Sequence, residues 1–149
     1  MGTLKTRIAD ESKTALKAGE KVRLGTLRML SVAIKNREVE LRRELTDDEV
    51  VEVAIKESKR RTEAVEAYEQ AGREDLAAKE REEREVLAAF VPEGLSDEET
   101  TALVDEAVSA TGATSMSDMG KVMGFVMGRA KGRVDGAKVQ ALVRARLGD

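Results

Sequence analysis

The chain holds one proline, Pro92, in 149 residues, and no other feature restricts its possible folds as much. Proline lacks an N–H and its ring clashes with the preceding turn, so it interrupts helices and the interiors of sheets. Long stretches on both sides of Pro92 are free of it, and aromatic residues make up only 2%, which leaves few strand formers. Helices are therefore the expected element. Pro92 lies in Val91-Pro92-Glu93-Gly94-Leu95, which also holds a glycine and separates two charge regimes, so a boundary is expected there. The reading is all-α: an N-terminal bundle or hairpin domain of about four helices over 1–91, a linker 92–95, and a small three-helix tail domain over 96–149.

Hydrophobic spacing and caps give the individual helices. Leu4, Ile8, Ala15 and Leu16 mark a first one, ended by Gly19. A second runs from about 21 to 43 with Leu24, Leu27, Leu30, Ile34 and Leu41 on one face; Met29, Val32 and Val39 widen it, which predicts a helix between others. Thr46-Asp47-Asp48-Glu49 is a capping box that opens a third helix, continued through Val51, Ile55, Ser58, Thr62 and Val65 to Tyr68 and stopped by Gly72. The fourth, 73–90, carries Lys79/Glu83, Glu80/Arg84 and Arg81/Glu85 four apart, as on a solvated face. Ser96-Asp97-Glu98-Glu99 is a second capping box, Ser117 or Asp118 is expected to cap a sixth helix, and Asp135 a seventh, over 136–147. The first six residues fit a myristoylation pattern, but one acyl chain anchors weakly, and Thr3 is read as a helix cap.

Absent side chains exclude whole classes of chemistry. The sequence has neither cysteine nor histidine, so disulfides, Cys/His zinc sites and triads with an imidazole base are impossible. No metal, cofactor or small-molecule substrate is expected, and Glu80 and Glu83 have nothing to activate them as an acid–base pair. No apolar run approaches the roughly 20 residues that span a bilayer, and no signal-like apolar segment opens the sequence. The expectation is a soluble, cytoplasmic, non-enzymatic protein.

The net charge of −3 does not by itself point to a polyanion. Its distribution is uneven: 92–112 holds six acidic residues and no basic one, whereas 113–149 holds seven basic against three acidic. Within the basic stretch, Gly120, Gly124, Gly128, Gly132 and Gly136 recur every four residues. Glycine inside a helix costs about 1 kcal/mol relative to alanine, so the row needs close approach by another backbone or by a ligand. Met119, Val122, Met123, Val126 and Met127 form a helical stripe beside it, which assigns Gly120 and Gly124 to packing. Gly128, Gly132 and Gly136 alternate with Arg129, Lys131 and Arg133, where an anion could be met.

Four blocks stand together in order: LRMLSVAIKNREVELRRELTDDEV, AYEQAGREDLAAKEREE, SDMGKVMG and GRVDGAKVQALV. On these the chain resembles the YqeY family, and its C-terminal part is similar to the tail of the B subunit of the glutamyl/aspartyl-tRNA amidotransferase. Phe90-Val91 departs from the tyrosine and leucine expected before the proline. The resemblance implies an all-helical fold whose three-helix tail contacts tRNA, as the amidotransferase tail lies against the tRNA elbow. The implied contacts fall on Lys121, Arg129, Lys131, Gly132, Arg133, Gly136 and Lys138. Carbon–nitrogen ligase chemistry is not implied, because the chain has no amidase signature and no P-loop.

Two partner classes follow. The first is tRNA, held by shape and phosphate contacts at the Lys131–Arg133 turn, with backbone N–H groups at the start of the last helix as further donors. The alternative is a protein adaptor that docks an enzyme of tRNA aminoacylation, or another partner, through its second and third helices. Lys56, Lys59, Arg60 and Arg61, alternating with Glu52, Glu57 and Glu63, would form its mixed-charge face.

Overall fold

A computed structural model describes residues 3–148; the myristoylation pattern's Met1 and Gly2 lie outside them. Among the described residues all regular structure is helical, with no strand. The chain divides into two compact units, Met1–Val91 and Pro92–Asp149.

In unit 1, α1 (Thr3–Ala18) and α2 (Lys21–Leu41) form a hairpin, and α3 (Asp47–Gln70) and α4 (Glu74–Leu87) form another. Gly19 and Gly72 turn the chain at positive φ, +72° in each case, where a Cβ would be strained. A short 3₁₀ turn, Ala88–Phe90, follows α4. Ile8, Leu27, Leu30, Ile34, Val50, Ala54, Leu87 and Phe90 build the core, and the Arg7 guanidinium lies 4.8 Å from the centroid of the Phe90 ring.

Thr46 and Glu49 form the expected capping box: Thr46 Oγ1 accepts from the Glu49 N–H, and the Glu49 carboxylate accepts from the Thr46 N–H. Thr3 does not cap α1. It is the first helical residue, its hydroxyl donates to Asp47 at 3.0 Å, and the Leu4 N–H donates to the same carboxylate at 3.2 Å.

Three other expectations for unit 1 are corrected. Helix α2 does lie between other helices, packed with α1, α3 and α4. Met29, Val32 and Val39 do not supply that packing: they are largely exposed, and the Met29 sulfur accepts from Arg61 Nη2 at 3.6 Å. The inward face of α3 is Val50, Ala54, Glu57, Arg61 and Val65, about one residue round from the Val51–Ile55–Thr62 line. Glu57 and Arg61 belong to this interior: Arg61 Nη1 is 2.7 Å from Glu57 Oε1 and Arg61 Nε is 3.4 Å from Glu83 Oε1. The mixed-charge docking face thus loses two of its members. The charges of α4 likewise leave the expected i,i+4 pairs, reaching across to α3 and, from Arg81, back to the start of α4. Arg84 donates to Thr62 Oγ1 at 3.2 Å, and Arg81 pairs with Glu69 and with Glu74, the latter at 2.6 Å.

Unit 2 comprises α5 (Asp97–Thr111), α6 (Met119–Ala130) and α7 (Gly136–Leu147), each packed against the other two. Its core is aliphatic: Val104, Ala107, Val122, Val126, Val139, Val143 and Leu147, with Met119, Met123 and Phe125 at the margin. Ser96 and Glu99 close the second capping box, and Gly112 ends α5 at φ +66°.

Candidate nucleic-acid interface

Unit 2 positions all seven residues singled out from the sequence, and α6 sets their layout. Its buried line, Val122, Val126 and Ala130, fixes the opposite face toward solvent, and on that face stand Gly120, Gly124 and Gly128. A Cβ built on any of the three would meet nothing within 4 Å. The packing explanation for Gly120 and Gly124 is therefore wrong: no neighbouring helix approaches them. The row instead leaves about 12 Å of helix surface bare of side chains, eight residues at 1.5 Å each.

The entry to α6 also differs from expectation. Asp118 occupies the cap position without a side-chain bond to the helix; its carboxylate accepts from the Thr114 N–H at 3.0 Å. That bond holds the Asp118 carboxyl below its ordinary range, with the Lys121 charge a lesser cause. Ser117 is occupied with Ser115, 2.7 Å between hydroxyls. The chain instead enters α6 through a 3₁₀ turn, Met116–Asp118.

The cations divide into two groups. Arg129, Lys138 and Arg146 face carboxylates of α5: Arg129 to Glu106 at 2.6 Å, Lys138 to Asp97 at 3.8 Å and Arg146 to Asp105 at 3.1 Å. Arg129 also stacks over Phe125, 4.5 Å from the ring centroid. The acidic and basic stretches of the sequence thus meet in space, and the broad basic field expected over 113–149 is largely neutralised on the α5 side. The second group is Lys121, exposed beside the glycine row, with Lys131 and Arg133 in the turn after α6. Lys121 lies 3.9 Å from Asp118, at the edge of ion-pair range.

The turn itself is built by glycine and by Arg133. Gly132 has φ +78°, and the Arg133 N–H donates back to Ala130 O at 2.8 Å. Arg133 Nε donates to the Glu93 carbonyl at 2.9 Å, while its own carbonyl accepts from the Leu95 N–H at 2.8 Å. The supposed linker is thereby stitched to the turn. Since the Nε bond is to a neutral carbonyl, the guanidinium keeps its charge for an anion. Gly136 opens α7, but the helix start is already served: Asp135 Oδ1 accepts from the Ala137 N–H at 2.9 Å. One of the N–H groups expected to meet a phosphate at this helix end is thus taken by its own cap. The arrangement can lay a polyanion along a smooth helix face between Lys121 and the Lys131–Arg133 turn.

The family model described as Yqey-like protein matches residues 5–147, nearly the whole chain. The chain belongs to the YqeY family. No curated protein matches it. As a YqeY-family member it has an all-helical structure over its described residues, and none of their helices is long and apolar enough to cross a membrane. Sequence reasoning missed one feature, the outward direction of the glycine row. A signal existed: the Met–Val stripe alone completes an inward face, and the glycines fall opposite its centre.

Proposed function

We propose that the chain is a tRNA-binding accessory module of the YqeY type, recognising folded tRNA by shape and phosphate contacts through unit 2. The observation that supports this best is the solvent-facing row Gly120, Gly124 and Gly128 flanked by Lys121 and leading to Lys131 and Arg133. Bare helix backbone lets a ribose–phosphate strand come close, and the cations neutralise it at either end. With one tyrosine, two phenylalanines and no tryptophan in the whole chain, stacking on splayed bases has little to work with. In this reading the chain acts in the cytoplasm beside translation and performs no carbon–nitrogen ligase chemistry itself.

Binding should therefore be strong at low salt and fall steeply as salt rises. Lys121→Glu with Lys131→Glu should weaken binding of total tRNA about tenfold or more at low salt, roughly equally across tRNA species, in a gel-shift or anisotropy titration. Unchanged affinity in that double variant would sink the reading. A second reading, a helical adaptor for a tRNA-aminoacylation enzyme or another protein, is favoured by a different observation, the exposed Met29, Val32 and Val39 on α2.

A further inference from the structure

The outward face of α2 carries a seven-residue pattern that unit 1 leaves largely exposed, with the Met29 sulfur engaged by Arg61 Nη2 at 3.6 Å. Met29, Val32 and Val39 are 51%, 58% and 67% exposed. With Asn36 they recur at intervals of three and four, the seam of a helix prepared for a second helix. Gly25 continues the seam by one turn, and a Cβ there would meet nothing within 4 Å. At this end the seam adjoins a groove of about 300 Å³ between α2 and α4, whose lining includes Lys21, Gly25 and Met29 of α2 and Lys79 and Glu83 of α4.

Beside the seam stand Lys21, Arg28, Lys35 and Arg42, seven apart and all exposed, Lys21 at the mouth of the groove. The acidic residues near this row are engaged elsewhere: Glu38 with Lys5 at 2.6 Å, Glu40 with Arg37 at 2.8 Å, and Glu20 with Arg23 at 3.9 Å. Arg42 is also the one non-glycine residue at positive φ among the described residues, +58° at the end of α2. An L side chain there costs about 1 kcal/mol, and glycine is the usual occupant of such helix ends.

We infer that this face docks an amphipathic helix of another protein whose apolar stripe is flanked by aspartate and glutamate. Charge complementarity selects that occupant. A second copy of this chain laid antiparallel along α2 would set the cation rows against each other. Laid parallel, it would offer each row only Thr26, Ala33 and Glu40. The polar Asn36 in the middle of the seam sets the register of the incoming helix at some cost in affinity. This proposal rests on the adaptor reading, supplies its partner's chemistry, and does not depend on RNA binding by unit 2.

The test uses the full chain and two synthetic peptides as long as α2, 21 residues, with leucine along the seam and either glutamate or lysine at the flanking positions. In amide NMR titrations the glutamate peptide should bind with shifts centred on α2. The lysine peptide should bind about tenfold or more weakly. Lys21→Glu, Arg28→Glu, Lys35→Glu and Arg42→Glu together should invert the preference, and Val32→Ser with Val39→Ser should weaken both peptides. All these positions are exposed, and circular dichroism checks that helicity is kept. Equal affinity for the two peptides would overturn the acidic class while leaving docking on α2 standing, and shifts centred elsewhere would overturn the surface itself. Preferential binding to polyuridylate or phosphatidylglycerol vesicles through the same residues, or dimerisation through α2 in sedimentation equilibrium, would also overturn the proposal.

Discussion

The two units differ in where they put charge. Unit 1 has exposed pairs such as Arg37–Glu40 but also buries a network: the Arg61 side chain is 6% exposed and is held between Glu57 and Glu83 in the α3–α4 interior. Unit 2 keeps charge outside an aliphatic core, where α5 carboxylates meet α6 and α7 cations in exposed pairs. A buried charge specifies its partners because an unmatched one is costly. An exposed pair is screened by water and salt and can be exchanged for a ligand's charge at small cost. The difference assigns unit 1's interior charges to structure and gives unit 2's exposed pairs little part in it.

The largest expected effect comes from breaking the buried network. Arg61→Ala should destabilise unit 1 by about 3–5 kcal/mol, because Glu57 and Glu83 lose their shared cation. Glu106→Ala, which removes an exposed pair of unit 2, should cost about 1 kcal/mol or less. Urea unfolding followed by amide NMR reads both, and equal costs would erase the contrast.

A smaller effect, opposite in sign, tests the glycine row. Gly124→Ala fills open space on a regular helix and should stabilise unit 2 by about 0.4–1 kcal/mol, seen as a higher urea midpoint. The same variant should weaken tRNA binding, since the added methyl stands on the bare face. Stabilisation without loss of affinity would move the interface off α6.

The smallest effect compares the two capping boxes in acid. The paired hydrogen bonds from Arg43, at 2.6 and 2.7 Å, hold the Glu49 carboxyl down at about 2, helped by the Thr46 N–H. Glu99 is lowered first by the Ser96 N–H, with Arg133 acting only through space. Both are depressed carboxylates, so each contributes stability above the ordinary value of 4.5 and loses it as pH falls below that. For Glu49 the loss should extend down to about pH 2. Glu49→Gln should flatten the urea midpoint of unit 1 between these limits, and an unchanged slope would count against the Arg43 contact.

Much of the fold was legible because local chemistry dictates it. Thr46, Ser96 and Asp135 announce helix starts and Gly19, Gly72 and Gly112 announce ends, since caps depend on a few neighbouring atoms. Faces were less legible where charge entered the interior. Glu57 and Arg61 read as surface residues, and their own i,i+4 pair at 2.7 Å, with Glu83 brought alongside by the α3–α4 hairpin, makes their burial tolerable. Likewise Arg133 found a backbone partner, the Glu93 carbonyl forty residues away, that nothing local announces. The candidate site was legible as a set of residues and misread in direction, because a glycine row has the same spacing whether it faces a helix or solvent.

Asp47 has a consequence for the order of assembly. Its carboxylate lies in the first turn of α3 and also receives the Thr3 hydroxyl and the Leu4 N–H, so the positive ends of two helices converge on one negative charge. Lys5 reaches Glu38 one residue further on. The start of α1 is thus secured by groups that are distant in sequence and come together only after α2 and the connection to α3 have formed. Closing that loop costs chain entropy first and returns these bonds last. The N-terminal turn of α1 is therefore expected to form late in unit 1.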